Sequence, residues 1–316
     1  MGSQSKDRLK SGWVLVLLLG GGLLVSLPAL GLEGYRLRLV SLIFLWVALS
    51  GSWNLMSGQT GYIDFGPVAY FGVGSYSMAL AMIKGGWPFL PSLTLAGGLC
   101  ALLALLIGFA TLRLQGAYFA IATFAAAEAL KQLFLEGDRW FGREFFGGSH
   151  GLTLPPPPGS SFFYHVLFFM MVGVMGLNVL LPRTKFGLGL RAIREAEETA
   201  ELAGVPTFRI KLIAYLGSST LIGLAGGIEA YWITYIIPDD VFNVSRTIQM
   251  VIMTLLGGMG TVWGPMIGAV FLTLVGEFLG HRFVYDYLIL TGGIVVAVIL
   301  MMPQGIMGVF RKGFRG

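Results

Sequence analysis

Charge is spaced along this chain in long intervals. No Asp, Glu, Lys or Arg falls in residues 11–32, 39–63, 65–83, 85–112, 212–228, 247–276 or 287–310. A hydrocarbon core of roughly 30 Å takes about 20 residues of helix, so each run can hold a transmembrane helix. Residues 114–135, interrupted by Glu128 and Lys131, and residues 162–181 add two more. Stretches such as 13–24 and 99–107 are apolar on every side, whereas a barrel strand alternates with period two. The pattern predicts an all-α polytopic membrane protein.

Two runs contain glycine and proline where a helix should continue. In 247–276 the sequence Gly257-Gly258-Met259-Gly260-Thr261-Val262-Trp263-Gly264-Pro265 predicts two shorter pieces or a re-entrant turn. Gly58-Gln59-Thr60-Gly61-Tyr62-Ile63-Asp64-Phe65-Gly66-Pro67 does the same between the second and third runs. With both treated as glycine-proline broken segments, the count is about ten transmembrane helices. The two breaks echo each other, Leu55-Met56-Ser57-Gly58 against Leu255-Leu256-Gly257-Gly258, each followed by Gly-Pro. Transporters carry binding sites near broken helices in corresponding positions of internal repeats; proline opening a helix twice accounts for the same pattern.

Composition narrows the class. Of 316 residues, 55% are hydrophobic and 12% charged, with mean hydropathy +0.78, against about 25% charged in soluble domains. This excludes a disordered chain, a coiled coil and an ordinary cytosolic enzyme. The single Cys100 supplies neither a disulfide framework nor a zinc-ligand set. The net charge of +5 points to membrane topology and not to nucleic acid, because the basic residues gather near the ends of apolar runs. Lys6, Arg8 and Lys10 precede the first run, Arg311, Lys312 and Arg315 follow the last, and Arg183, Lys185, Arg191, Arg194, Arg209 and Lys211 lie in 183–211. Ten crossings put these and Arg113 in the cytoplasm, 13 of 21 basic residues. The expected organisation is a cytoplasmic tail 1–12, a membrane domain 13–310 and a cytoplasmic tail 311–316. Nothing after Leu30 resembles a cleavage site, so the first run reads as a retained span. The stretch 136–161, with Pro155 to Pro158 favouring an extended polyproline segment, is expected as a nonhelical external loop. The stretch 238–246 is expected as another.

The 183–211 connection carries the most specific pattern. From Lys185 to Val205 it is amphipathic, then meets Gly204 and Pro206, both helix stop signals. Leu190, Ile193, Glu197, Ala200 and Gly204 fall at helical spacing. The acidic Glu195, Glu197, Glu198 and Glu201 would be repelled by anionic lipid, so docking into a groove of a cytoplasmic partner is favoured over a helix resting on headgroups.

Here the chain resembles a known class. Glu197-Glu198-Thr199-Ala200 to Gly204 looks like the coupling box of binding-protein-dependent ABC permeases. Residues 58–76, 112–123, 147–152, 190–195, 257–265 and 302–305 resemble, in order, the LivM type of high-affinity branched-chain amino-acid permease. The resemblance implies an inner-membrane permease subunit of an ABC importer, with both termini cytoplasmic. It implies a homologous second permease of the LivH type, two cytoplasmic ATPase subunits and a periplasmic substrate-binding protein as partners, besides membrane lipid, and no nucleic acid or cofactor. It further implies ATPase coupling through Gly187, Arg191, Ile193, Arg194, Glu195, Glu197, Ala200 and Gly204. A translocation pathway would follow Gly58, Gly61, Gly66, Gly257, Gly258 and Gly260, although close helix packing in lipid asks for the same glycines. Pro67, Leu188 and His150 depart from residues common in the family, which leaves the substrate open between branched-chain amino acids and urea or short amides.

The chain contains no Gly-Lys dipeptide, hence no Walker A loop, and is not expected to be an enzyme; separate subunits would hydrolyse ATP. An ion-coupled secondary transporter would need clustered midplane carboxylates, and the carboxylates here are isolated on different runs. Glu128 and Lys131 are expected as a structural pair on one helix face, and Asp64 as a cap for the helix after the first break. Glu229 and Glu277 are expected near span ends. Asp239-Asp240 would suit a metal-dependent lipid enzyme, but no His or Arg cluster accompanies it.

Overall fold

A computed structural model describes residue 28, residues 34–141, 145–147 and 150–282, and then 290, 292–293, 296, 300 and 305–308. Apart from residue 28, the expected first span 11–32 and both tails therefore fall outside the described residues, as does most of 287–310 with Met302 to Gln304.

The apolar runs become helices because in lipid a helix satisfies its own backbone groups. In chain order these are α1 (Gly34–Trp53), which passes into a π-helical turn (Asn54–Gly58), α2 (Pro67–Ile83), α3 (Phe89–Thr111) and α4 (Ala117–Phe141). They are followed by α5 (Ser160–Leu180), α6 (Lys185–Leu202), α7 (Thr207–Ile233), the short α8 (Pro238–Val241), α9 (Val244–Gly257) and α10 (Gly264–Arg282). Among the described residues, five helices are long and apolar enough to cross a membrane: Gly34–Gly58, Phe89–Thr111, Ala117–Gly137, Ser160–Arg183 and Thr207–Ile233. Pro67–Ile83 and Gly264–Gly280 are apolar but shorter.

Helix α7 is the axis of the assembly. Its most extensive contacts are with α2 and α3, and it also touches α1, α5 and α6. It can serve so many neighbours because small residues let backbones meet. A Cβ at Gly74 would lie 2.0 Å from the Gly223 carbonyl oxygen, and one at Gly226 would lie 2.2 Å from that of Phe71. At the same crossing the Ser75 hydroxyl donates to the Gly226 carbonyl at 2.9 Å. Close approach of this kind is how helices gain dispersion contact where lipid removes the hydrophobic incentive. A second tight pair joins α9 to α10, where a Cβ at Gly257 would meet the Gly264 carbonyl at 1.7 Å.

Both stretches expected as nonhelical are shorter than the sequence suggested. Helix α4 continues to Phe141, carried over its last turn by the Arg139–Glu136 pair at 2.6 Å. Pro238 opens the turn α8, and α9 already starts at Val244, with the Asn243 side chain accepting from the Ser245 N–H at 2.9 Å. The two stretches meet: Leu152–Thr153 (β1) pairs antiparallel with Tyr235–Ile236 (β2). The Tyr235 hydroxyl donates to the His150 carbonyl at 3.1 Å and that of Tyr231 to the Pro156 carbonyl at 3.3 Å. Helix α7 rises about 40 Å over its 27 residues, and so separates this strand pair from α6 at its other end.

The expected Glu128–Lys131 pair is replaced by two others. Lys131 Nζ lies 2.9 Å from Asp239, and Glu128 accepts from Gln132 at 3.1 Å.

The crossing predicts a contrast within α7 and its partner. Gly74→Ala should destabilise by about 1–3 kcal/mol through forced separation of the helices. Gly217→Ala, where an added Cβ meets nothing within 4 Å, should be neutral or better. Thermal denaturation of the purified protein in detergent checks the pair.

Candidate functional site

The charged helix α6 begins at Thr184, whose hydroxyl accepts from the Gly187 N–H at 3.1 Å. It ends where Gly204 takes a left-handed conformation, φ +84°. There the Val205 N–H reaches the Ala200 carbonyl at 3.0 Å and the Gly204 N–H the Glu201 carbonyl at 2.9 Å, a Schellman closure. Between these caps the backbone leaves helical geometry once, at Ala196 (φ −162°, ψ 102°). The helix thus consists of two pieces that meet at an angle.

Its apolar stripe faces inward. Leu190, Ile193 and Ala200 are buried, as are Gly187 and Gly189. A Cβ at Gly187 would lie 2.0 Å from the Leu181 carbonyl, and one at Gly189 would lie 2.7 Å from Ile210 on α7. The outer side carries Arg191, Glu195 and Glu198 together with two exposed leucines, Leu188 at 59% and Leu202 at 90%.

Two side chains from the inner side anchor α6 to the first glycine break. Before the bend, Arg194 Nη1 donates to the Gly58 carbonyl at 2.8 Å. After it, Glu197 accepts from Lys211 Nζ at 2.5 Å and from the Tyr62 hydroxyl. Lys211 also donates to the Leu112 carbonyl at 3.1 Å and to Tyr62 Oη at 3.2 Å, and its Nζ lies 4.5 Å over the Tyr62 ring. The Lys211 side chain is 4% exposed and that of Glu197 13%, so the pair is withdrawn from water. Burial and the Glu197 carboxylate raise the Tyr62 phenol well above its ordinary range, which keeps it protonated and donating. An open cavity of about 800 Å³ lies beside this cluster, between α6, the 60–65 segment and the start of α4.

The break itself is stitched from several directions. The π-helical turn at Asn54–Gly58 widens the helix end. From it the Asn54 side chain accepts from the Gly260 N–H at 2.8 Å and donates to the Thr261 carbonyl at 3.1 Å. It also donates to Asn178 Oδ1 at 2.9 Å, and Asn178 in turn donates to the Gly51 carbonyl at 3.0 Å. Beyond the turn, the Trp53 indole N–H donates to the Asp64 carbonyl at 2.9 Å, and Asp64 Oδ1 accepts from the Gly66 N–H at 2.8 Å just before α2.

Of the pathway glycines, Gly58 and Gly260 are thereby brought together. A Cβ at Gly58 would be 1.9 Å from Asn54 Oδ1 and 3.1 Å from the Gly260 nitrogen; one at Gly260 would be 1.9 Å from Arg194 Nη1. Gly61, at φ +79°, faces the Arg194 side chain. Gly257 and Gly258 sit at the α9–α10 turn, and Gly66 lies apart, against Thr123 on α4. Of the coupling residues, Arg194 and Glu197 make the ties, Gly187, Ile193 and Ala200 pack inward, and Arg191, Glu195 and Gly204 are exposed. Sequence reasoning missed Tyr62, Lys211, Asn54 and Asn178 as site residues. The two asparagines are amides inside apolar runs, a signal that could have marked them, but Tyr62 and Lys211 carried no local signal.

Removing one member of a buried pair leaves a stranded charge, at a cost of about 3–5 kcal/mol. Glu197→Ala should therefore lower the melting temperature sharply, whereas the double variant Glu197→Gln/Lys211→Met should recover much of the loss. Melting curves of the single and double variants in one detergent provide the check.

The family described as the branched-chain amino acid transport system permease component matches residues 35–302. A high-affinity branched-chain amino acid transport system permease protein LivM from Escherichia coli (strain K12) is 27% identical over 98% of this chain and 77% of its own length. LivM from Salmonella typhimurium is 27% identical over 86% of the chain and 70% of its own. A probable branched-chain amino acid transport permease protein LivH from Methanocaldococcus jannaschii is 29% identical over 44% of the chain and 46% of its own. No solved structure matches the chain. With the match to the family extending over most of its length, this chain belongs to the permease components of branched-chain amino acid transport systems.

Proposed function

We propose that this permease subunit of an ATP-binding-cassette importer carries branched-chain amino acids across the inner membrane and is driven through α6. The observation that supports this most is the double attachment of a capped, charged helix to a glycine break, through Arg194–Gly58 and Glu197–Tyr62, with Glu197 also held by Lys211 of α7. A force on the exposed side of α6 reaches the break without passing through flexible chain.

In this reading residues 183–211 are the cytoplasmic coupling segment, and Leu188, Arg191, Glu195 and Leu202 meet an ATPase subunit. Leu188 and Leu202 are exposed among the charges of this outer side, which suits contact with a partner. The tails 1–12 and 311–316 are cytoplasmic, 136–161 is external, and residues 13–310 cross about ten times with segments broken at 58–67 and 257–265. Energy comes from two separate ATPases, since the chain has no Walker A lysine. A second, LivH-type permease faces the breaks, and a periplasmic binding protein delivers substrate on the β1–β2 side. ATP-driven closure of the ATPases moves α6, which shifts Gly58 and Gly260 together and changes the pathway lined by Gly61 and Gly66.

Two outcomes test this. Proteoliposomes holding the complete assembly should take up labelled leucine, isoleucine or valine only with binding protein outside and ATP inside; uptake without ATP would remove the reading. Arg194→Ala should leave stability within about 1 kcal/mol of the parent, as for a partly exposed side chain, yet lower uptake at least tenfold per ATP hydrolysed. Parallel measurement of hydrolysis and uptake checks it.

A further inference from the structure

At the end of α7 remote from α6, a second polar site remains unused by the scheme above. Glu229, 7% exposed, lies near the end of α7 and accepts twice from Arg246 Nη1 of α9, at 3.0 and 2.9 Å. Arg246 Nε donates to the Asp240 carbonyl at 3.1 Å, and the guanidinium carbon stands 4.6 Å over the Phe71 ring. These contacts fix the guanidinium plane but leave Nη2 with no partner among the described residues. Asp240, an exposed residue beside Arg246, lines the same cavity of about 240 Å³, and its carboxylate has no partner among the described residues. One part of the remaining wall is aliphatic, from Ile233, Ile236 and Val241, and another is polar, from Asn243, Ser245 and Gln249. The cavity reaches Ser75 at the α2–α7 crossing.

We propose that this cavity binds a free amino acid as its zwitterion, the α-carboxylate on Arg246 Nη2, the α-ammonium at Asp240 and an aliphatic side chain against the isoleucines and Val241. Three features select this ligand. A guanidinium held rigid by one carboxylate, with a donor edge left open, is preorganised for a second carboxylate. An unpaired carboxylate on a lining residue matches a cation and would be poorly served by another anion. The space equals about eight water volumes, on the scale of a small aliphatic amino acid, and its aliphatic part at Ile233, Ile236 and Val241 gains by excluding water from a branched side chain. Urea and short amides carry neither charge, so the site also separates the substrate classes that the sequence left open. The inference rests on the importer reading. It adds a place where substrate released by the binding protein is held before it passes the crossing.

The test uses the full-length protein in lipid nanodiscs, with tritiated leucine and no binding protein. Leucine should bind and raise the melting temperature. Leucinamide, lacking the carboxylate, and 4-methylpentanoate, lacking the ammonium, should bind at least tenfold more weakly, and urea should compete not at all. Asp240→Asn removes the ammonium partner, and Ile233→Trp fills the cavity from an exposed position without touching the Glu229–Arg246 pair. Each should weaken leucine binding at least tenfold while melting temperature without ligand stays near that of the parent. Leucine binding unchanged in both variants would overturn the site. So would normal binding accompanied by a need for more binding protein during uptake, which would make the cavity a docking point for that protein. Uptake by the unaltered assembly is measured separately, so failure of the importer reading is distinguished from failure of this site.

Discussion

A charge removed from water must be answered by another, and Lys211 is where this chain meets that requirement. Its ammonium sits at the start of α7 among Glu197, Tyr62 and the Leu112 carbonyl, so α6, the segment after the first break and the end of α3 cannot part without stranding it. The desolvation cost of the pair is repaid only while all partners keep their places. An apolar contact would tolerate sliding by a residue, whereas this cluster tolerates none. Such a buried pair adds little net stability. Its contribution is to hold one arrangement of a charged helix against an otherwise greasy bundle.

Much of that bundle was legible in the order of residues. Charge-free runs located α1, α3, α5 and α7 because lipid forbids unpaired charge over that length. The end of α6 could be read from Gly204 and Pro206, since few other residues adopt the left-handed turn that closes a helix. The apolar stripe of Leu190, Ile193 and Ala200 could be read from spacing, but not what covers it: docking into a partner's groove was expected, whereas the stripe packs inward on this chain, and Gly204 lies beyond the helix and is exposed. What spacing could not supply was the partner of each charge. Glu128 was read against Lys131, three residues away, but Lys131 turns to Asp239 on a segment more than a hundred residues distant. Tyr62 and Lys211 likewise became site residues only through folding, because pairing across 149 positions leaves no trace in either neighbourhood.

Glycine is used here in two physically different ways. At the α2–α7 crossing Gly74, Gly223 and Gly226 are absences that admit another backbone, and their conformation is ordinarily helical. At Gly61, Gly204 and Gly260 the backbone itself takes positive φ, and the residue is chosen for a turn. Gly260 serves both purposes, since the Arg194 guanidinium occupies the space its side chain would need. A sequence shows both kinds as the same letter, so packing and pathway could not be separated until the neighbours were known.

The interruption at Ala196 gives α6 two handles instead of one. Arg194 precedes it and holds a carbonyl of the first break; Glu197 follows it and holds the root of α7. A straight rod pushed from outside would carry both grips by the same displacement. A jointed one divides a single thrust into unequal movements, and the ratio between them is set by where along its outer surface the thrust arrives.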